Sequence, residues 1–308
     1  MPTSDRFEGA KPPSPPRLKS TDLPKDMDGQ AVEPEPFLSG HPILPEDMDI
    51  ADLTQAQLYE MNQRLLEESM ESERPLISPP EATSVLRNEY SNSPDFLAQI
   101  ETLINRGYNI IIRAKGDGDC FYRALAFAYL DRLMRFTGHS NDRLAATTDM
   151  LAKAGFDECV YDQPYEMLQS LAQLRASRTN AREELWQSFT DPATSNYIVM
   201  YMRLLTSAQM RIDVQFADFL FDPESQMQTS VDDFCRRFVE PLGKEADHVQ
   251  VAALAQALDV HVKVAYLDGH AADGQVNFVD FSENASHGGD PLLLLYRPGH
   301  YDILQKSA

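Results

Sequence analysis

The hydrophobic period of this chain changes near residue 260, and that change constrains its fold more than any other feature. From Ser93-Pro94 onward the apolar residues recur at helical spacing. At Val260-His261-Val262-Lys263-Val264-Ala265-Tyr266 they begin to alternate, the period of a half-buried strand. Val276–Phe281, Leu292–Tyr296 and Tyr301–Leu304 read as further strands between turn-rich stretches. Helices first and strands gathered last predict an α+β domain with an antiparallel or mixed sheet, not a doubly wound one. No internal repeat interrupts this order.

The helical part divides at its punctuation. Pro94 suits the first turn and Gly107 the C-terminal cap of a helix over Asp95–Arg106, and Tyr108–Ile112 is a short strand. Further helices are predicted over Cys120–Thr137, Asn141–Ala154, Tyr165–Arg175 and Ala181–Phe189, the last with Asn180 and Glu183 as a box-like cap. Thr194–Ile212, Val231–Val239 capped by Ser230, and Asp247–Leu258 complete the series.

Upstream of residue 75 the composition differs. Ten of the 20 prolines lie in residues 1–45, among Ser, Asp, Glu and Lys, so residues 1–46 are expected to be a disordered leader. Residues 47–74 predict an acidic amphipathic helical arm, with Leu58, Met61 and Leu65 at helical spacing and nine acids against two arginines between Glu46 and Arg74. Residues 75–308 are left for a single folded domain.

Charge and cysteine content narrow the function classes. A formal net charge of −21, with no Lys/Arg cluster, would repel a phosphate backbone, which argues against nucleic acid as a partner. No window approaches the roughly 18 consecutive apolar residues of a membrane span, and the N-terminus lacks the pattern of a secretory signal. A soluble protein of the cytoplasm, with the nucleus as a further location, is expected. Three scattered thiols, Cys120, Cys159 and Cys235, make neither a disulfide scaffold nor a CxxC zinc site. No metal or cofactor is expected, and a monomer is the default.

One thiol stands in a special context. In Lys115-Gly116-Asp117-Gly118-Asp119-Cys120-Phe121-Tyr122-Arg123 a glycine- and aspartate-rich turn runs directly into a helical pattern. A cysteine at a helix N-terminus faces unpaired N–H groups and the positive end of the macrodipole, which favour the thiolate. The turn's amides around Asp117 and Gly118 are placed to meet an oxyanion formed in acyl transfer. A calcium loop does not fit, because Phe121 and Ala128 would fall at ligand positions. Cys159 and Cys235 read as buried small hydrophobes.

A thiolate nucleophile needs a histidine to hold it as an ion pair and to protonate the leaving amine, and a group to orient that histidine. His41 lies in the leader, His270 and His287 in Gly-rich loops. His139, His248 and His261 suit surface or capping roles. His300 follows an apolar strand and the turn Arg297-Pro298-Gly299, and Asp302, two residues on, shares its face of the next strand.

"GDGDCFYRAL" and "LLYRPGHYDIL" resemble the two signature blocks of the OTU-superfamily cysteine peptidases, and specifically of the otubains, a family of ubiquitin thioesterases. "RPLIS", "TSNYIVMYMRLLTSAQMR" and "FCRRFVEPLGKEADHVQVAALAQAL" extend the likeness from about Arg74 to Gln305. The resemblance implies a papain-like fold hydrolysing the isopeptide bond between the C-terminal glycine of ubiquitin and a lysine. It assigns Cys120 as nucleophile, His300 as general base and acid, Asp302 as its orienter and Asp117 as the residue that helps build the oxyanion hole. Ubiquitin and polyubiquitin are the implied partners, with preference for the linkage that marks proteins for the proteasome. Some members also bind ubiquitin-charged conjugating enzymes and inhibit them through a helical arm, whose place residues 52–73 occupy. The chain departs from the family at Asp119, where asparagine is usual. A carboxylate beside the thiol opposes its ionisation unless it turns to solvent or to a cation such as Arg123.

Overall fold

The computed structural model describes residues 74–306, apart from 136–139, 175–179, 224, 271–273, 283–284 and 286–289. The expected leader and nearly all of the expected arm lie outside the described residues, as do His41, His139 and His287. Among the described residues six strands make one sheet: β1 (Glu81–Ala82), β2 (Ile110–Ile112), β3 (Val262–Tyr266), β4 (Asn277–Phe281), β5 (Leu292–Arg297) and β6 (His300–Gln305). Their spatial order is β1-β2-β6-β5-β3-β4. Every neighbouring pair is antiparallel except β3 and β5, whose parallel register runs from Val262↔Leu292 to Tyr266↔Tyr296. The sheet is therefore mixed, within the expected α+β class.

The leucine run of β5 shows why the strands are so apolar. Leu292 and Leu294 belong to the main core, whereas Leu293 and Leu295 face a second cluster with Leu86, Ile100 and Leu103. Alternate residues point to opposite faces, so a strand apolar throughout is one covered on both sides. The second layer comes from α1 (Leu86–Glu89) and α2 (Pro94–Asn105). Each fully buried leucine contributes about 1.5–3 kcal/mol relative to exposure.

On the other face lies α3 (Cys120–Arg135), in which every residue from Cys120 to Asp131 is buried. A helix buried around its whole circumference belongs in an interior, and α3, which carries Arg123 and Asp131 inside as well as its apolar residues, packs against β5 and β6 and its helical neighbours. Around it stand α4 (Ser140–Lys153), α5 (Glu158–Ala172), α6 (Ala181–Thr190) and α7 (Pro192–Ile212), then α8 (Val231–Phe234) and α9 (His248–Ala257). No described helix is long and apolar enough to cross a membrane.

Several sequence expectations are corrected. The helix expected to start at Tyr165 begins at Glu158 and runs through Pro164. Proline cannot donate to the ladder, yet Tyr161, Pro164, Leu168 and Leu171 share a buried face, so packing outweighs the missing bond. Asn180 makes no side-chain cap bond to α6. Ser230 caps α8 as expected, but the continuous helix predicted to Val239 breaks after Phe234 into a π turn over Cys235–Val239. That turn buries Cys235, Phe238 and Val239 together and aims the Val239 carbonyl at Arg203, 2.8 Å from Nη1.

Candidate active site

The turn before α3 is built around a glycine that no other residue replaces. Gly118 has φ +79°, and a Cβ there would lie 2.2 Å from the Gly243 carbonyl oxygen. The L side chains disfavour that φ, and the approach of the two backbones excludes one in any case. The turn delivers Cys120 as the first residue of α3, 4% exposed, so its sulfur stands where the helix N-terminus favours negative charge.

The sheet supplies the partner. His300 opens β6 after a two-residue turn in which Gly299 takes φ +73°, the value a type II turn requires at that position. Its Nε2 bonds Asp302 Oδ1 at 2.8 Å, and the ring also hydrogen-bonds Cys120. Burial alone would lower the affinity of His300 for its second proton, but the bonds to Asp302 and Cys120 outweigh it and raise the pKa to about 10. An imidazolium between a sulfur and a carboxylate is the arrangement that sustains a thiolate.

Asp302 is 0% exposed, and both its oxygens are occupied. Oδ1 also accepts from the Ala114 N–H at 3.1 Å, and Oδ2 accepts from Arg297 Nε at 3.0 Å and Nη2 at 2.7 Å. Burial favours protonation of this carboxyl, but the His300 and Arg297 bonds prevail and hold it below the usual carboxylate range.

Asp117 is placed as a brace for the turn. Its Oδ1 accepts from the Asp119 N–H at 3.0 Å and from Arg123 Nη1 at 2.8 Å. Arg123 is fully buried and also donates to Ser195 Oγ at 3.1 Å. It is therefore not the cation that meets Asp119. That cation is Arg203, on α7, whose Nε lies 2.9 Å from Asp119 Oδ1. Arg203 further donates to the carbonyls of Gly118, Val239 and Lys244, and its guanidinium sits 4.1 Å from the centre of the Tyr122 ring. The Gly243 N–H donates to the same Asp119 oxygen at 3.0 Å. One buried guanidinium thus ties the 118–119 turn to the 239–244 segment.

Sequence reasoning missed Arg203, Arg297 and Ala114 in these roles. The signal for Arg203 was a lone cation on the apolar face of "VMYMRLLTSAQM"; nothing in the sequence marks the Ala114 amide. Of the other histidines, His261 pairs with Asp280 at 2.7 Å, and His248 bridges Asp247 and the Tyr266 hydroxyl, both at 2.8 Å. Cys235 is buried as expected, and burial pushes its thiol up to about 11. Cys159, expected inside, is exposed near the start of α5, outside the buried face set by Tyr161 and Leu168. Among the described residues no cluster of His, Cys, Asp and Glu could hold a metal ion.

Known proteins carry the same arrangement of sequence. The family model described as Peptidase C65 Otubain matches residues 69–306. Human ubiquitin thioesterase OTUB1 is 34% identical over 249 residues, covering 78% of this chain and 87% of the relative. Human ubiquitin thioesterase OTUB2 is 35% identical over 224 residues, covering 72% and 91%. Among solved structures, an h/ceOTUB1–ubiquitin aldehyde–UBC13~Ub complex matches with a TM-score of 0.69 at 26% identity, covering 83% of this chain and all of that one. On the extent of the family match and the identity to these relatives, the chain belongs to the C65 otubain family of cysteine peptidases.

Proposed function

We propose that the protein is a deubiquitinating thiol peptidase, hydrolysing isopeptide bonds at the C-terminal glycine of ubiquitin. The single observation that carries this reading is the contact of Cys120 with His300, itself held by Asp302, at the N-terminus of α3. The relatives named as ubiquitin thioesterases supply the substrate class.

These residues support a two-stage reaction. Cys120 Sγ, as the thiolate, attacks the carbonyl carbon of the terminal glycine, and the electron pair moves to the carbonyl oxygen. The glycine turn is the proposed source of amides for that oxyanion, apart from the Asp119 N–H, which Asp117 holds as it braces the turn. Collapse of the intermediate breaks the C–N bond as His300 passes its proton to the lysine Nζ, leaving a thioester on Cys120. A water then attacks the thioester, His300 takes its proton, and the carboxylate and thiol are released. Asp302 keeps the imidazole oriented throughout. A net charge of −21 suits the basic tail of ubiquitin.

Preference for the proteasome-targeting linkage belongs to the same reading. Incubating the full chain with diubiquitins of each linkage, and with a ubiquitin carrying a C-terminal electrophile, tests it beside Cys120→Ala. Cleavage and labelling by the wild type, both abolished in the variant, are expected. A wild type silent toward every linkage and the probe overturns the reading. A second activity, binding of ubiquitin-charged conjugating enzymes, is supported by the likeness to the complex containing UBC13~Ub. Capture of a charged conjugating enzyme by Cys120→Ala tests it.

A further inference from the structure

Behind the Cys120–His300–Asp302 line a second set of charges continues without a break. Arg297, on β5, spends Nε and Nη2 on Asp302 Oδ2 and donates Nη1 to Glu89 of α1 at 3.1 Å. Glu89 also holds Arg113, just past β2, and Arg113 faces Glu81 of β1 at 3.5 Å. Tyr90 hydrogen-bonds Arg297 as well. The backbone supports the same line: Ser78 N–H donates to the Arg113 carbonyl at 2.8 Å, and Ala114, the next residue, donates to Asp302. The charged groups that face Asp302 are His300 on β6 and Arg297 on β5, and beyond Arg297 stand Glu89, Arg113 and Glu81.

We propose that Arg297 and Glu89 are positioning residues of the hydrolysis, fixing the rotation and the charge of Asp302 so that it stays aimed at His300. The proposal rests on the catalytic reading of Cys120, His300 and Asp302. Both Arg297 donors grip Oδ2, which leaves Oδ1 for the imidazole and sets the carboxylate's rotation about its Cβ–Cγ bond. A planar fork with two donors does this; a single ammonium does it less well. Glu89, on a different element, fixes the guanidinium in turn. An ion-pair network that merely stitched α1 to the sheet would have no need to place its fork on the oxygen opposite the imidazole.

The consequence for pH has a definite sign. Without Arg297 the enclosed carboxyl protonates more readily, so its anionic form is lost at a higher pH as pH falls. His300 then loses support for its imidazolium, and the thiolate loses its partner. The acid limb of activity moves up.

The test uses the full chain with Arg297→Met, Arg297→Lys and Glu89→Gln, each also in an Asp302→Asn background. Two rates are followed against pH: diubiquitin cleavage and alkylation of Cys120 by iodoacetamide, the latter in a Cys159→Ser background. Arg297→Met is expected to move the acid limb of both upward by about one unit, about tenfold in rate on the limb. Arg297→Lys restores part of that shift, and Glu89→Gln gives a smaller shift in the same direction with KM unchanged. In the Asp302→Asn background Arg297→Met adds no further shift. If circular dichroism shows Arg297→Met unfolded, Glu89→Gln decides the matter. An unmoved limb in the folded variants, or a loss that adds in full to that of Asp302→Asn, overturns the proposal. Failure of the wild type to cleave ubiquitin chains would instead strike the functional reading, while the alkylation profiles would still judge the positioning role.

Discussion

The carboxylate of Asp119, one residue before the thiol, lies against the buried guanidinium of Arg203, with Nε 2.9 Å from Oδ1. The charge that would oppose ionisation of Cys120 is thus offset within the fold. Arg203 comes from the middle of α7, 84 positions further along the chain.

Substituting Asp119→Asn leaves that guanidinium without its counter-charge beside the thiol. A net positive neighbour favours the thiolate, so the pH profile of Cys120 alkylation is expected to move to lower pH than in the wild type. Breaking a buried pair is also destabilising, by about 3–5 kcal/mol, which urea unfolding will read. Superimposable alkylation profiles would show that Asp119 and Arg203 act only on stability.

His300 carries a second pH prediction. Its pKa, raised to about 10, keeps the ring protonated at neutral pH and a cation beside the sulfur. Removing it in His300→Ala withdraws that cation, and alkylation of Cys120 is expected to need a higher pH than in the wild type. The measurement is the midpoint of iodoacetamide alkylation. An unchanged midpoint would mean that the helix N-terminus alone sustains the thiolate.

Gly118→Ala is expected to damage both fold and activity. Its Cβ would meet the Gly243 carbonyl oxygen at 2.2 Å, at a φ of +79°. Strain of about 1–3 kcal/mol at the residue itself comes in addition to displacement of the 243–244 segment that Arg203 holds. A fall in melting temperature together with a loss of turnover larger than the loss of substrate binding is the expected pattern, from thermal denaturation and kcat against KM.

The two remaining thiols should separate cleanly under a thiol reagent. Cys159 is exposed and Cys235 is 0% exposed with its thiol pushed up to about 11. Cys159→Ser therefore removes a fast-reacting thiol without altering diubiquitin cleavage, whereas Cys235 reacts only on unfolding. Counting thiols released with and without denaturant checks both statements.

Much of the site was legible because its signals are local. A glycine turn entering a helix placed Cys120, and the two-residue period of a strand put His300 and Asp302 on one face; both relations involve neighbours in sequence. The class of the fold followed from the change of period near residue 260. What could not be read depends on long-range pairing. Nothing in Glu81–Ala82 announces an edge strand, nothing in β3 and β5 says that they run parallel, and the partner of Asp119 was sought at Arg123 because that cation is near in sequence. Pro164 misled for a related reason: a local breaker was overruled by a buried face formed only in the tertiary structure.

The place of β6 in the sheet has a consequence for how the protein matures. This strand is not at an edge; it is inserted between β5, its hairpin partner, and β2, whose Ile110 pairs with Gln305. Closing the loop between Ile110 and Gln305 is entropically costly and slow compared with forming helices. Because His300 opens β6, the sulfur and the imidazole come together only once this non-local pairing is made.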